Sequence, residues 1–96
     1  MNRRALFKFR LYVAGDTQNS ASAVANLAAL CRTRLADRHN IEIVNVFLEP
    51  QRALADGIFI TPTLIKLLPA PTRRIVGTLS QMDSVLHALG LDSVSA

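Results

Sequence analysis

One cysteine, no tryptophan and only four glycines occur among the 96 residues. With Cys31 alone an internal disulfide is impossible, and a zinc site built from clustered cysteines is excluded. The glycines stand singly, so no phosphate-cradling glycine loop is present, and neither is the G-x-S-x-G turn of a serine hydrolase. His39 and His87 are far apart in the chain and read as surface or helix-edge histidines. Together these absences predict no metal, no cofactor and no catalytic residues. No apolar run is long enough to span a membrane. The basic start Met1–Arg4 leads into alternating Phe7–Lys8–Phe9–Arg10, not into the continuous apolar stretch of a secretory signal. A cytoplasmic protein without a membrane contact is expected.

Acidic residues are the scarcer charge, seven against eleven basic, which leaves a net charge of +4. The basic residues are spread over Arg3/Arg4, Lys8/Arg10, Arg32/Arg34/Arg38, Arg52, Lys66 and Arg73/Arg74. A nucleic-acid binder would carry a denser stripe with aromatic residues between its charges. Only Phe7, Phe9, Tyr12, Phe47 and Phe59 are aromatic. A nucleic-acid-binding module therefore stays an alternative, and a basic face for an acidic protein partner fits the same charge.

What is present suffices for one core. Half of the residues are hydrophobic, and a chain of this size buries roughly two-thirds of its unfolded surface. The whole chain, 1–96, reads as a single domain with its core at about 6–91 and a frayed tail at 92–96.

Leu6–Ala14 alternates as a strand, with Phe7, Phe9, Leu11 and Val13 on one face and Lys8, Arg10 and Tyr12 on the other. Gly15–Asp16 breaks it, and Ser20 is a candidate cap for a helix running to about Arg38. That helix has the inward stripe Val24, Leu27, Ala28, Cys31 and Leu35. After a turn at His39–Asn40, Ile41–Phe47 is a strand with few charges, which suggests a central place in the sheet. Strand, helix, strand at this spacing predicts a parallel βαβ unit. Pro50 opens a short helix, Gln51–Asp56, that Gly57 ends. Thr63–Leu68 and Arg73–Val76 read as a hairpin around Pro69–Ala70–Pro71. Ser80 and Asp83 have the spacing of a capping box for a last helix with Val85, Leu86 and Leu89 inward.

The resulting order, β-α-β-α-β-β-α in a single α/β domain, is that of thioredoxin. In that fold the redox Cys-x-x-Cys lies between the first strand and the first helix. Here Gly15–Asp16–Thr17–Gln18–Asn19–Ser20 occupies the place and contains no sulfur. Cys31 falls on the inward stripe, as a packing residue. A thioredoxin-like redox protein is thus a second alternative, with its thiols missing. Thr61–Pro62, just before the third strand, matches the site where the fold usually has a cis-proline.

Five separated segments resemble the KaiB family: Leu11–Tyr12–Val13–Ala14–Gly15, Asn19–Ser20, Thr61–Pro62–Thr63–Leu64, Leu68–Pro69–Ala70–Pro71 and Arg74–Ile75–Val76–Gly77–Thr78–Leu79–Ser80. They occur in the family's order and cover about residues 6 to 91. The resemblance implies a non-catalytic adaptor of a circadian clock or stress-timing system. Its partner would be a KaiC-like ATPase whose phosphorylation and output it modulates, with a KaiA-like protein or a histidine kinase as further partners. It also implies a homo-oligomer, dimer or tetramer, and an alternative resting fold, β-α-β-β-α-α-β, reached by fold switching. By position, the resemblance places partner contacts at Leu48, Glu49, Arg52 and Asp56, with Arg73 and Arg74 nearby, and fold-switch or cis-proline positions at Gly57, Pro62 and Gly77. Members commonly carry a lysine where Gly57 stands, an arginine at Ser22 and an aspartate at Thr78, so the electrostatic contact is expected to have moved onto Arg52, Arg73 and Arg74.

Overall fold

In a computed structural model that describes residues 5–91, the chain is organised on its first strand, Phe7–Val13 (β1). There follow α1 (Gln18–Arg34), β2 (His39–Asn45), α2 (Pro50–Ala55), β3 (Thr63–Leu68), β4 (Arg73–Val76) and α3 (Met82–Ala88). The order is the expected β-α-β-α-β-β-α. The tail expected at 92–96 lies outside the described residues.

The four strands form one sheet in the order β2-β1-β3-β4. β1 and β2 are parallel, as a helical crossover requires, and β3 and β4 are an antiparallel hairpin. β2 is an edge strand, so the central place expected for it falls to β1 and β3. Scarcity of charge misled here, because α1 and α2 shield parts of an edge strand without pairing it. The strand also starts earlier than expected: His39 and Asn40 are in the ladder, where a turn was expected.

Both faces of the sheet are covered. On one, Phe7, Phe9, Leu11 and Val13 meet Ala23, Leu27, Leu30, Cys31 and Leu35 of α1 and its end, and Val85, Leu86 and Leu89 of α3 and its end. Each fully buried leucine here contributes roughly 1.5–3 kcal/mol of transfer free energy. The α1 stripe is rotated from the expected one: Ala23 and Leu30 are buried, whereas Val24 and Ala28 are only half-buried. Cys31 is completely buried, and burial pushes its thiol up to about 11. It is a packing residue held in the protonated form.

Two caps differ from expectation. Thr17 caps α1, its hydroxyl accepting from the Ser20 amide at 3.4 Å. Ser20 is instead buried inside the first turn, where its hydroxyl accepts from the Ala14 amide at 3.0 Å. Ser80 makes no capping box with Asp83; α3 starts at Met82 after Gln81, without a side-chain cap. Helix α1 ends at Arg34, four residues early, because Asp37 turns the chain with φ 65°.

The second face is thinner. Tyr12, expected among polar residues, is completely buried there with Val44, Ala53, Ile58 and Ile65. Helix α2 buries only Ala53. Six residues are too few for a helix to persist by hydrogen bonding alone, so α2 depends on what ties it to the sheet.

Candidate functional site

Helix α2 is tied down by charge. Arg10 and Glu42 stand opposite each other on β1 and β2, and the Arg10 Nε donates to Glu42 Oε1 at 2.9 Å. The same guanidinium reaches across to Asp56, just after α2, with Nη1 3.0 Å from Oδ2. The Tyr12 hydroxyl also donates to the Asp56 carboxylate and lies 3.2 Å from the Arg52 carbonyl oxygen. Arg52 closes the circuit from the helix side, 2.7 Å from Glu42 and 3.3 Å from Glu49. Alternating residues of β1 thus hold both ends of α2 through one network.

Each group responds as its neighbours require. Hydrogen bonds from Arg52 and Arg10 bring the Glu42 carboxyl down from its ordinary 4.5 to about 2. Asp56 is lowered by the Tyr12 hydroxyl and then by Arg10, against the opposing effect of its burial. Tyr12 is raised, by burial first and by the Asp56 carboxylate second. Glu42 and Asp56 both have depressed native values, so their contribution to stability is fully present above the ordinary carboxyl range. It is lost as pH falls through the native values. The melting temperature should therefore be flat near neutrality and fall between about pH 5 and pH 2, with high salt reducing the effect because Glu42 is 38% exposed. Glu42→Gln should flatten that acid limb in melts recorded across the range. An unchanged slope in the variant would remove Glu42 from the network.

The positions singled out in the sequence separate into two groups. Leu48 is 78% exposed and Glu49 is also at the surface, at the start of α2. Arg52 and Asp56 are half-buried members of the network rather than free surface charges. Arg74 joins them from β4: its guanidinium donates to the carbonyl oxygens of Gly57, at 3.3 Å, and of Asp56. Arg73, one residue earlier, belongs to the opposite face, because it stands across from Lys66 whereas Arg74 stands across from Ile65. The structure therefore does not gather Arg52, Arg73 and Arg74 into one patch.

Gly57, Pro62 and Gly77 meet through β4. Gly57 ends α2 with φ 66°, and its carbonyl accepts from Arg74. The Thr61–Pro62 bond is cis, as expected for the fold. The Pro62 carbonyl accepts from the Gly77 amide at 2.9 Å.

Sequence reasoning missed two components. Arg10 and Tyr12 read only as members, with Lys8, of the second face of β1, and nothing was read from Glu42; a tyrosine following two cations on an alternating strand was the available signal that this face is covered. The other is apolar. Phe47 is 71% exposed, Leu54 72%, Phe59 89% and Ile60 60%, all flanking or within α2. The unbroken run Ile58–Phe59–Ile60 signalled this, since only Ile58 is buried. A shallow groove of about 130 Å³ continues from Phe59 and Ile60 past Thr63 to Arg74 and Val76. Against the β2–α2 connection, where the Gly15 amide donates to Asn45 Oδ1 at 3.3 Å, the Gly15–Ser20 loop holds no sulfur, and among the described residues no group of three or more His, Cys, Asp or Glu side chains could hold a metal. No helix among them is long and apolar enough to cross a membrane.

The KaiB domain profile matches residues 10–91. Circadian clock protein KaiB3 of a Synechocystis strain is 47% identical over 94 residues, covering 98% of this chain and 87% of that protein. Among solved structures, the N-terminal domain of Synechococcus elongatus SasA superposes with a TM-score of 0.72 at 18% identity, over 95% of this chain and 90% of that one. Mitochondrial thioredoxin 3 of Saccharomyces cerevisiae superposes at 0.71 with 13% identity, over 88% of this chain and 78% of its own. At those identities the structural likenesses establish the thioredoxin-like fold alone.

Proposed function

The chain belongs to the KaiB family, and from that premise we propose that it is a non-catalytic adaptor of a clock or stress-timing system. It binds a KaiC-like ATPase through α2 and the loops beside it. The observation that carries this reading is the set of large apolar side chains that α2 and its flanks hold out to solvent: Phe47, Leu48, Leu54, Phe59 and Ile60. Monomeric proteins rarely expose so dense an apolar surface unless something covers it. Beneath it, the Arg10–Tyr12–Asp56–Arg52 network fixes the orientation of a helix that has little burial of its own. The surface is therefore presented on a rigid base, which limits the ordering cost of association. An adaptor role also accommodates the inert Cys31 thiol. A KaiA-like protein or a histidine kinase would act on the resulting complex, and the resting chain would be a dimer or tetramer.

The test is co-migration on size exclusion with the KaiC-type ATPase of the same organism, with and without ATP. Leu48→Asp and Phe59→Asp should each weaken the complex by about tenfold or more, with circular dichroism unchanged because both side chains are exposed. Arg52→Glu is a poorer probe of contact, since it would set three carboxylates together at Glu42 and Glu49. If the wild-type chain never co-migrates, or both aspartate variants bind as it does, the α2 surface is not the interface.

A further inference from the structure

The sheet face opposite α2 carries a charge arrangement that the α2 network does not use. Lys66 on β3 and Arg73 on β4 stand directly across from one another, and like charges in that relation destabilise a strand pair. Lys66 is 4% exposed as a residue, but no buried side-chain nitrogen among the described residues is without a partner, so it is the stem that is buried and the ammonium opens to the surface. Among the described residues neither Lys66 nor Arg73 makes a hydrogen bond or an ion pair. The Lys66 ammonium lies 5.9 Å from the centroid of the Phe7 ring, and the Arg38 guanidinium lies at the same distance from that ring. Burial first, and then the charge of Arg73, lower the proton affinity of Lys66.

The two cations line a cleft of about 220 Å³ whose other walls are Pro71, His87, Ala88 and Gly90. Ala88 and Gly90 leave it open, and Pro71 stiffens the hairpin turn on its far side. We propose that this cleft binds a small phosphate-bearing anion, held between the Lys66 ammonium and the Arg73 guanidinium with the His87 imidazole beside it. A phosphate group carries nearly two negative charges near neutrality and so balances both fixed cations, whereas a single carboxylate leaves one unmatched. The arginine supplies a planar pair of donors for two oxygens and the lysine a point charge for a third. A cleft of this size has room for inorganic phosphate or a small phosphate monoester. This site lies on the other side of the sheet from α2, so it stands or falls independently of the adaptor reading.

The test is an amide NMR titration of the full chain with inorganic phosphate, at constant ionic strength maintained with chloride. Saturable shifts are expected at Lys66, Arg73 and His87–Gly90, with the amides of α2 unmoved. Arg73→Ala, at an exposed position, should remain folded and weaken binding by about tenfold or more; Lys66→Met should do the same if it folds. A parallel titration with glycerol 3-phosphate identifies the source: tighter binding than inorganic phosphate marks an organic monoester, and equal or weaker binding marks the free ion. Shifts that rise linearly without saturating, or that chloride alone reproduces, would overturn the site. So would full affinity in Arg73→Ala.

Discussion

Asp56→Ala is expected to destabilise the chain by about 2–3 kcal/mol, the cost of two charge-assisted hydrogen bonds lost from a partly buried acceptor. Its carboxylate is 29% exposed and receives both Tyr12 and Arg10. Removing it leaves a phenol and a guanidinium facing each other across the base of α2. For a domain of this size each kcal/mol lowers the melting temperature by about 4–8 °C. Asp56→Asn keeps an acceptor for Tyr12 and should lose less. The bond from Arg74 goes to the Asp56 backbone carbonyl and survives both changes. Because α2 buries only Ala53, the loss should be local as well as global. Hydrogen exchange should accelerate most at 50–58, and binding of the ATPase should weaken along with it. Urea and thermal melts decide the first part, with Asp83→Ala on the exposed side of α3 as the control. A stability loss no larger than the control's would mean that α2 is held by something other than this carboxylate.

Gly77→Ala should act on the choice of fold. Gly77 has φ 116°, a backbone conformation that side chains rarely adopt, while a methyl group there would meet nothing within 4 Å. The penalty is thus conformational rather than steric crowding with neighbours, about 1–3 kcal/mol. It falls on the thioredoxin-like arrangement, where the Gly77 amide also donates to the Pro62 carbonyl. If the chain has a second arrangement within a few kcal/mol, as fold-switching proteins do, a penalty of this size moves the population ratio by about 5- to 150-fold. Two sets of amide resonances should then change in ratio, and the oligomer size on gel filtration should follow. A simple drop in melting temperature, with one set of resonances and one size throughout, would refute fold switching at this position.

Legibility varied by element. The hairpin β3–β4 was read to the residue, because β-rich stretches bounded by Pro62, Pro69–Ala70–Pro71 and Gly77 leave few other assignments. Elements bounded by weaker signals shifted: Ser20 and Ser80 both looked like caps, yet a hydroxyl near a helix start can equally turn inward, as Ser20 does. The candidate site was legible only in part. Leu48, Glu49, Arg52 and Asp56 do stand at α2, but their use differs, since two of them bind the sheet rather than face outward. Arg73 and Arg74 are adjacent in sequence and on opposite faces in space, a consequence of strand alternation that a list of basic residues conceals.

The sequence by itself determined the order of elements, the parallel βαβ start, the inward face of β1, the missing redox thiols and the family. These follow from local periodicity, from breakers and from residues that are simply absent, and none depends on distant partners. Tertiary structure alone decided that β2 is an edge strand, that Tyr12 is buried, and that Arg10, Glu42, Arg52 and Asp56 form one network. It also decided that Phe59 and its neighbours remain uncovered, and that Lys66 and Arg73 share a cleft. The reason is that each of these depends on how distant strands pair and in what register, or on which face of the sheet a helix covers. A six-residue helix with one buried alanine leaves almost no trace of that in its own sequence.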